Sequence, residues 1–222
     1  MAIITISRQV GSGSAEIASQ VARLLGYRQF DKRLMIQVAA EMGLSESEVV
    51  DFSEENYKAV GFLDRLFGRR SQTVTKVSTR KRDSSGAEAL SVEQLDEAFC
   101  IDLIRTTIRA AYEQNNMVIL GRGGQAILQD MPDVFHVRVV APLETRLERI
   151  RQEKKGFSES AAQEWAIEQD RKTADYLKRF FGIRWDDPML YHMVINTAKL
   201  EPWLAAQAIV NTVRQVQPAP AA

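Results

Sequence analysis

The residues best suited to chemistry lie near the start of the sequence, in the small-residue stretch Ser7-Arg8-Gln9-Val10-Gly11-Ser12-Gly13-Ser14. The apolar, β-branched run at residues 3–6 before it is typical of a strand buried on both faces. From Ala15 onwards, apolar residues recur at helical spacing. A strand, a glycine-rich turn and a helix in this order direct free backbone N–H groups and the positive end of a helix dipole at one point. The stretch therefore predicts phosphate chemistry, although a plain strand-to-helix connection has the same pattern.

The loop differs from a standard phosphate-binding loop in its cation. That loop has the pattern G-x-x-x-x-G-K-[ST], in which the lysine reaches the β- and γ-phosphates. With Gly13 as the second glycine, Ser14 occupies the lysine position and Arg8 the position of the first glycine. Arg8 is a candidate for the missing cation, because a guanidinium group is always charged and binds phosphate with two donors. The alternative for Arg8 is a solvated residue at the end of a strand.

Four more apolar runs predict strands, at residues 27–30, 117–120, 134–140 and 193–195. Helical patterns separate them, which indicates a parallel sheet covered on both faces. Other local signals mark helix ends: Gly26 as a C-cap, a helix end at about Gly182, Ser158 as an N-cap, and capping boxes that predict helix starts at Ser45 and Ser91.

Two further residues follow predicted strands and are candidates for ligand contact. Asp31 ends the second strand, where a polar side chain in an open parallel sheet faces the ligand crevice; it is also a suitable N-cap for a helix from Lys32. Arg122 lies within Gly121-Arg122-Gly123-Gly124. Neighbouring glycines indicate close approach of the backbone to a ligand, so we favour a functional role for Arg122.

Two charged segments have open interpretations. Residues 65–82 contain seven basic residues and no acidic one, followed by a predicted turn at residues 83–86. The segment is either a solvated surface stretch or one that closes over an anionic ligand. Residues 143–182 predict two charged helices that meet at Gly156, either as a hinged lid or as an exposed hairpin with i,i+4 pairs such as Asp175–Arg179.

Composition narrows the class of protein. The 222 residues contain 29 Lys+Arg and 29 Asp+Glu, so the net charge does not indicate a general nucleic-acid or membrane-surface protein. The single cysteine, Cys100, excludes an intramolecular disulfide and a cysteine-rich metal site. A single cysteine fits a reducing cytoplasm, and no apolar run approaches membrane-spanning length, so we expect a cytoplasmic protein without a membrane partner. His136 has no acidic partner in its strand, so it is expected to be a packed residue.

Six segments, in this order, resemble the cytidylate-kinase-like family, a divergent branch of the P-loop nucleoside monophosphate kinases: ITISRQVGSGSAEIA, LGYRQFD, VILGRGG, VFHVRVVAPLETRLERI, DRKTADYLKRFFG and YHMVINT. The resemblance implies a three-layer α/β P-loop fold with a five-stranded parallel sheet, a helical insertion and a lid. It also implies transfer of the γ-phosphoryl group of ATP, with Mg²⁺, to a nucleoside monophosphate or another small phosphorylated acceptor.

The resemblance implies a single kinase-like domain. Its core would comprise residues 1–43 and 91–215. Residues 44–90 would form a helical and basic insertion for the acceptor, and residues from about 146 to 182 the lid. The tail, residues 216–222, is expected to be disordered.

The candidate site residues fall into three groups, and no metal ligands are identified. The loop residues expected to hold the donor phosphates are Gly11, Ser12, Gly13, Ser14 and Ala15. The cations expected at the transferring group are Arg8, Arg122, Arg146, Arg149 and Arg151. The residues expected near the acceptor are Asp31, Arg122, Asp170 and Arg171.

The sequence departs from the family pattern in its loop. Ser14 and Glu16 replace the lysine and threonine of the standard Gly-Lys-Gly-Thr, and Gly123 stands where cytidylate kinases carry an acidic residue after Gly-Arg. Two functions therefore remain open: a kinase in which Arg8 supplies the missing charge, and a nucleotide-binding sensor without turnover. A third, an adaptor that binds nucleic acid or protein through residues 65–82, has less support because aromatic residues are not interleaved among its basic residues.

Overall fold

The computed structural model describes residues 3–30, 37, 40, 76–82, 88–94 and 97–216, with the backbone alone for residues 76–82, 88–94 and 97–100. The chain divides into two compact units, residues 1–30 together with 111–222, and residues 31–110. Asp31, the predicted helix start at Ser45, the turn at residues 83–86, most of the predicted insertion and the tail after residue 216 lie outside the described residues.

The described elements follow one another along the chain as β1 (Ile3–Arg8), α1 (Ser14–Leu25), β2 (Arg28–Gln29), β3 (Lys76–Arg82), β4 (Glu88–Gln94), α2 (Glu97–Glu113), β5 (Met117–Leu120), α3 (Gly124–Ile127), β6 (Val134–Val140), α4 (Leu143–Glu153), α5 (Glu159–Phe181), a 3-10 turn (Pro188–Leu190), β7 (Met193–Asn196) and α6 (Pro202–Val216). In the part of the chain that is described, no helix is both long enough and apolar enough to cross a membrane.

Five strands of the first unit form one parallel sheet in the order β2-β5-β1-β6-β7. Strand β1 is central and pairs with β5 and β6 over most of its length, with Ser7 opposite Arg138 on β6. The order places the carboxyl ends of β1, β5 and β6 side by side. The predicted five-stranded parallel sheet is therefore confirmed.

One face of the sheet is apolar and carries the main core. Alternate residues of β1 and β6 are fully or almost fully buried on this face, beneath α1 and α6. The strand residues of this core are Ile4, Ile6, Val118, Phe135, Val137, Val139 and Ile195. Because a strand exposes alternate residues on opposite faces, this packing fixes the register of every polar residue between them.

The opposite face carries buried polar residues at the intervening positions. Thr5 and His136 lie side by side, and Thr5 Oγ1 is 2.6 Å from His136 Nδ1. His136 is 4% exposed, and burial together with the neighbouring His192 lowers the pKa of its imidazole to about 4. The expectation that His136 is a packed residue is confirmed.

Helix ends follow the local signals in most places. Gly26 and Gly182 end α1 and α5 in the left-handed conformation, with φ of +67° and +69°. The Ser158 hydroxyl accepts a hydrogen bond from the Ala161 N–H at 3.2 Å and caps α5. The helix predicted to begin at Ser91 is wrong: residues 88–94 form β4, which pairs antiparallel with β3, and α2 begins at Glu97. A cross-strand ladder has overridden the local capping signal there.

Candidate functional site

The loop between β1 and α1 has the backbone shape that the glycines indicate. Gly11 and Gly13 are both left-handed, with φ of +74° and +76°. Gly13 is the N-cap of α1 and, as a glycine, has no side chain to cap this helix end. The first N–H groups of a helix have no partners within the helix, so this end of α1 presents donors and a positive dipole end to an anion.

A buried ion pair holds the start of the loop. Arg146 on α4 is 6% exposed, and its Nη1 donates to Asp170 Oδ2 on α5 at 2.5 Å and to the Val10 carbonyl at 3.2 Å. Asp170 Oδ1 in turn accepts from the Val10 N–H at 3.0 Å. Both polar groups of the Val10 backbone are therefore bound by one pair of opposite charges, which we call the Arg146–Asp170 brace.

A second set of contacts holds the middle of the loop from the other side. Thr197, which follows β7, donates from its hydroxyl to the Ser12 carbonyl at 2.8 Å. Arg149 Nη1 donates to the same hydroxyl at 2.8 Å, and Arg149 Nη2 donates to the Thr197 carbonyl at 3.0 Å. Arg149 Nη1 also lies 3.5 Å from the Gly11 carbonyl. Arg149 and Thr197 thus fix the carbonyl side of the loop.

Packing explains why residue 11 is glycine. A Cβ atom on Gly11 would lie 2.8 Å from the Arg146 carbonyl oxygen and 2.9 Å from Ile150 Cγ1. The loop therefore lies directly on α4. Val10 also packs against a small apolar cluster inside the α4–α5 hairpin, formed by Leu147, Ile150, Ala162 and Ala166. The hairpin that was predicted as a lid is joined to the loop by both polar and apolar contacts.

The turn after β5 has an unusual backbone. Gly121, Arg122 and Gly123 are all left-handed, with φ of +70°, +57° and +71°. This conformation is unfavourable for a residue with a Cβ and costs about 1–3 kcal/mol. The Arg122 guanidinium lies over the Phe30 ring, 5.3 Å from its centroid. The Gly121 N–H donates to the Ile6 carbonyl at 2.9 Å, so the turn is attached to β1 next to the loop.

The remaining predicted site residues lie in different surroundings. Arg8 ends β1 and is half-buried, whereas Arg151 is exposed near the end of α4. Arg171 is also exposed and pairs along α5 with Glu168 at 2.8 Å and Asp175 at 3.4 Å. The Arg171 guanidinium lowers the pKa of the Glu168 carboxyl group. These two arginines are thus not gathered at the loop as Arg146 and Arg149 are; their predicted roles remain predictions.

The described residues include no cluster of side chains that would hold a magnesium ion without a ligand. Mg²⁺ in proteins usually binds one or two carboxylates together with substrate phosphates and waters. No group of three or more His, Cys, Asp or Glu side chains among the described residues is placed to hold a metal. Of the described carboxylates, Asp170 is engaged in the brace and Glu16 is exposed on the first turn of α1, next to the loop. We therefore assign no step to a metal ion.

Sequence reasoning did not identify three residues around the loop and sheet. Thr197 had a signal, because a polar residue directly after a strand of a parallel sheet lies at the crevice edge. Gln9 accepts from the Ala141 N–H at 3.1 Å and had no signal in its pattern. Arg138 is buried within β6 at 5% exposure, although arginine is rarely found in such a position.

The sheet and the glycine loop between β1 and α1 define an α/β protein of the P-loop kinase class. More particularly, the chain belongs to the cytidylate kinase-like family, whose model matches residues 3–199. A cytidylate kinase of Methanosarcina mazei is 26% identical over 120 residues, which are 54% of this chain and 67% of that protein. A protein of Corynebacterium glutamicum named uronate isomerase is 27% identical over 157 residues, 70% of this chain but 29% of that protein.

Solved structures agree on the fold. A protein of Eubacterium ventriosum superposes with a TM-score of 0.62 at 18% identity, covering 96% of this chain and 98% of that one. The shikimate kinase of Bacteroides thetaiotaomicron superposes with a TM-score of 0.50 at 15% identity, covering 97% of each chain. At these identities the likeness concerns the fold.

Proposed function

We propose that this chain binds a nucleoside triphosphate at the glycine loop and transfers its γ-phosphoryl group to a nucleoside monophosphate or a similar small acceptor. The observation that carries the proposal is the loop itself: two left-handed glycines lead into the start of α1, and the N-cap, Gly13, has no side chain to bond to the first N–H groups. Backbone donors in this arrangement bind phosphate oxygens. Membership of the cytidylate kinase-like family supports phosphoryl transfer as the reaction.

In the proposal the loop binds the donor phosphates and separate arginines offset the charge of the transferring group. Phosphoryl transfer needs no covalent residue; it needs two anions in line and cations near the equatorial oxygens. Arg8, directly before the loop, supplies the cation that Ser14 lacks, and Arg122 binds the acceptor. P-loop kinases generally use ATP with Mg²⁺, which would enter with the triphosphate.

The sequence suggested Arg146 at the transferring group and Asp170 near the acceptor, whereas the brace favours another role for both residues. Their charged groups already bind each other and Val10. In the proposal they are positioning residues that keep the loop backbone ready for phosphate. Preformed donors are effective because they need no reorganisation during the reaction.

The experiment is a phosphoryl-transfer assay with ATP, Mg²⁺ and a panel of nucleoside monophosphates, comparing the wild type with Arg8→Ala. We expect product with one acceptor, and a loss in rate on the order of 10³ for the variant. Arg214→Ala is the matched control, because Arg214 is an exposed arginine on α6 and donates to the Leu24 carbonyl. Unchanged turnover in Arg8→Ala would remove Arg8 from the proposal.

A nucleotide sensor without turnover is the second candidate, and the residues at the start of α1 favour it. Ser14 is 4% exposed and carries no charge, and Glu16 places a negative charge on the first turn. The sensor predicts a rise in melting temperature with nucleotide and no product with any acceptor. Turnover that copurifies with the protein through successive columns and is lost in Arg8→Ala would exclude it.

A further inference from the structure

The polar face of the sheet contains a buried arginine with no part in the proposed reaction so far. Arg138 lies on β6 opposite Ser7 on β1 and is 5% exposed. Its Nη1 donates to the Trp185 carbonyl at 2.5 Å and lies 3.4 Å from the Tyr191 hydroxyl. Trp185 Nε1 and the Tyr191 hydroxyl both donate to Ser7 Oγ, at 2.8 and 3.2 Å. We call these four residues the Arg138 cluster.

Among the described residues, no opposite charge balances the charge of this cluster. No carboxylate of the described residues lies within ion-pair distance of Arg138, and its Nε and Nη2 donate to none of them. A buried charge is costly unless it is paired and fully hydrogen-bonded. The two neutral oxygens on Nη1 offset part of that cost, so the cluster as it stands is suited to accept a negative group.

The hydrogen bonds of Arg138 to the described residues all use Nη1, which leaves the Nε–Nη2 edge of the guanidinium for such a group. The Arg138 guanidinium lies over the rings of Trp185 and Tyr191, with Cζ 4.3 and 5.6 Å from their centroids. Cation–π contacts use the face of the ring and leave the N–H donors of the cation available. With Nη1 engaged, Nε and Nη2 form the parallel pair of donors that binds carboxylate or phosphate with two hydrogen bonds.

The cluster lies beside the elements assigned to the acceptor. Strand β1 separates β6 from β5, and the turn that carries Arg122 is bonded to β1 at Ile6, one residue before Ser7. Neighbouring strands are about 4.8 Å apart, so the backbones at the Arg122 turn and at Arg138 are about 10 Å apart. A small acceptor spans this distance.

We propose that Arg138 binds an oxyanionic group of the acceptor, a phosphate or a carboxylate, through Nε and Nη2. The name acceptor rests on the proposed function; the oxyanion site itself does not. The site makes the preferred substrate class a small molecule with an anionic group besides the hydroxyl or phosphate that receives the phosphoryl group.

The test follows the Nε–H resonance of Arg138 by NMR in the ¹⁵N-labelled full-length protein, titrated separately with inorganic phosphate and acetate. The resonance is assigned by its loss in Arg138→Lys, which keeps the charge but not the paired donors. We expect a saturable shift with one or both anions and at least about tenfold weaker binding in Arg138→Lys. The anion that binds more tightly identifies the chemistry of the source. Arg214→Lys is the matched control and should bind like the wild type.

Two results separate this inference from the proposed function. A stationary Nε–H resonance up to millimolar phosphate and acetate would overturn the inference, and Arg138 would then be a clamp for residues 182–191. The wild-type titration decides this even if Arg138→Lys fails to fold. A parallel titration with a non-hydrolysable ATP analogue tests the loop alone. A shift at Arg138 without binding of the analogue would support the oxyanion site and contradict the proposed kinase.

Discussion

Two glycine turns end neighbouring strands of this sheet, and they are stabilised in opposite ways. The loop after β1 places glycine at both of its left-handed positions and is held by charged and polar side chains from α4, α5 and Thr197. The turn after β5 places an arginine in a left-handed position between two glycines. It rests on β1 and on apolar side chains of α5, since a Cβ on Gly123 would lie 3.3 Å from the Phe181 ring.

This difference distinguishes arginines that shape a turn from an arginine that is strained within one. Around the β1 loop the nearby arginines Arg146 and Arg149 contact backbone carbonyls, so their first effect is on the shape of the loop. At the β5 turn the strain falls on Arg122 itself. Strain at a non-glycine residue persists where the surroundings impose it and is concentrated at functional sites. We therefore expect stability and ligand binding to be coupled at the first turn and opposed at the second.

The strongest test of the first turn is Gly11→Ala. The added Cβ would meet the Arg146 carbonyl oxygen at 2.8 Å and would hold a left-handed φ. We expect a loss of about 4 kcal/mol in the free energy of unfolding, because overpacking and backbone strain add together. Gly26→Ala is the matched control, with φ of +67° and nothing within 4 Å of the new Cβ, and should cost about 1 kcal/mol. Urea unfolding measures both variants. Equal losses of unfolding free energy would show that α4 shifts to accommodate the added Cβ.

The brace is the next largest effect. Asp170→Ala leaves the buried Arg146 guanidinium without its carboxylate and should cost about 3 kcal/mol. Glu168→Ala removes an exposed partner of Arg171 on the same helix and should cost less than about 1 kcal/mol. The double variant Arg146→Leu with Asp170→Leu should recover part of the stability and still bind nucleotide poorly, as titration calorimetry would show. Normal nucleotide affinity in the double variant would contradict a positioning role for the brace.

Acid should weaken the support of the second turn. A Cβ on Gly124 would touch Thr5 Cγ2 at 3.3 Å, and Thr5 is bonded to His136, whose pKa is lowered to about 4. The unfolded chain binds this proton near the ordinary pKa of 6.5, before the folded protein does. The free energy of unfolding should therefore fall from pH 6.5 to pH 4, by about 3 kcal/mol, and level off below that. Unfolding of the wild type and of His136→Gln across this range isolates the effect; parallel curves would exclude it.

The smallest effect is also the most specific. Arg122→Gly removes the left-handed strain, whereas Arg122→Ala keeps the strain and loses the same contact with Phe30. We expect the glycine variant to be about 1 kcal/mol more stable than the alanine variant, and both to lose acceptor binding. Thermal unfolding and acceptor titration measure the two properties. An alanine variant as stable as the glycine variant would show that the turn relaxes around residue 122.

The features of this molecule that the sequence predicts are those that depend on neighbouring residues in the chain. The strands were recognisable from apolar runs, and Gly26, Ser158 and Gly182 marked helix ends within one or two residues. The capping box at Ser91 failed because its strand pairs with another segment, a contact that no local pattern contains.

The glycine turns of the candidate site were predictable from the sequence, but the side-chain contacts that hold them were not. The glycine-rich sequences predicted two tight turns, and Gly11, Gly13 and the residues around Arg122 do have left-handed backbones, whereas their roles toward a ligand stay predictions. The contacts that hold the loop join residues far apart in sequence: Thr197 and Ser12 are 185 positions apart, and Asp170 and Val10 are 160 apart. Their side chains meet only after the sheet and hairpin have formed, so spacing alone indicated charged residues without their partners.

The position of the Trp185 indole makes this residue a fluorescent probe of the region next to the loop. It is 6% exposed, lies over the Arg138 guanidinium and donates to Ser7, two residues before Gln9, where the loop begins. The sequence has three tryptophans, of which Trp203 is 41% exposed and Trp165 lies at the edge of the Phe157 ring. A chain with phenylalanine at positions 165 and 203 keeps one fluorophore, whose emission depends on the cation above it. Trp185 is thus an intrinsic fluorescent probe on the polar face of the sheet. The rate of ligand binding next to the loop becomes measurable by stopped-flow fluorescence without any attached dye.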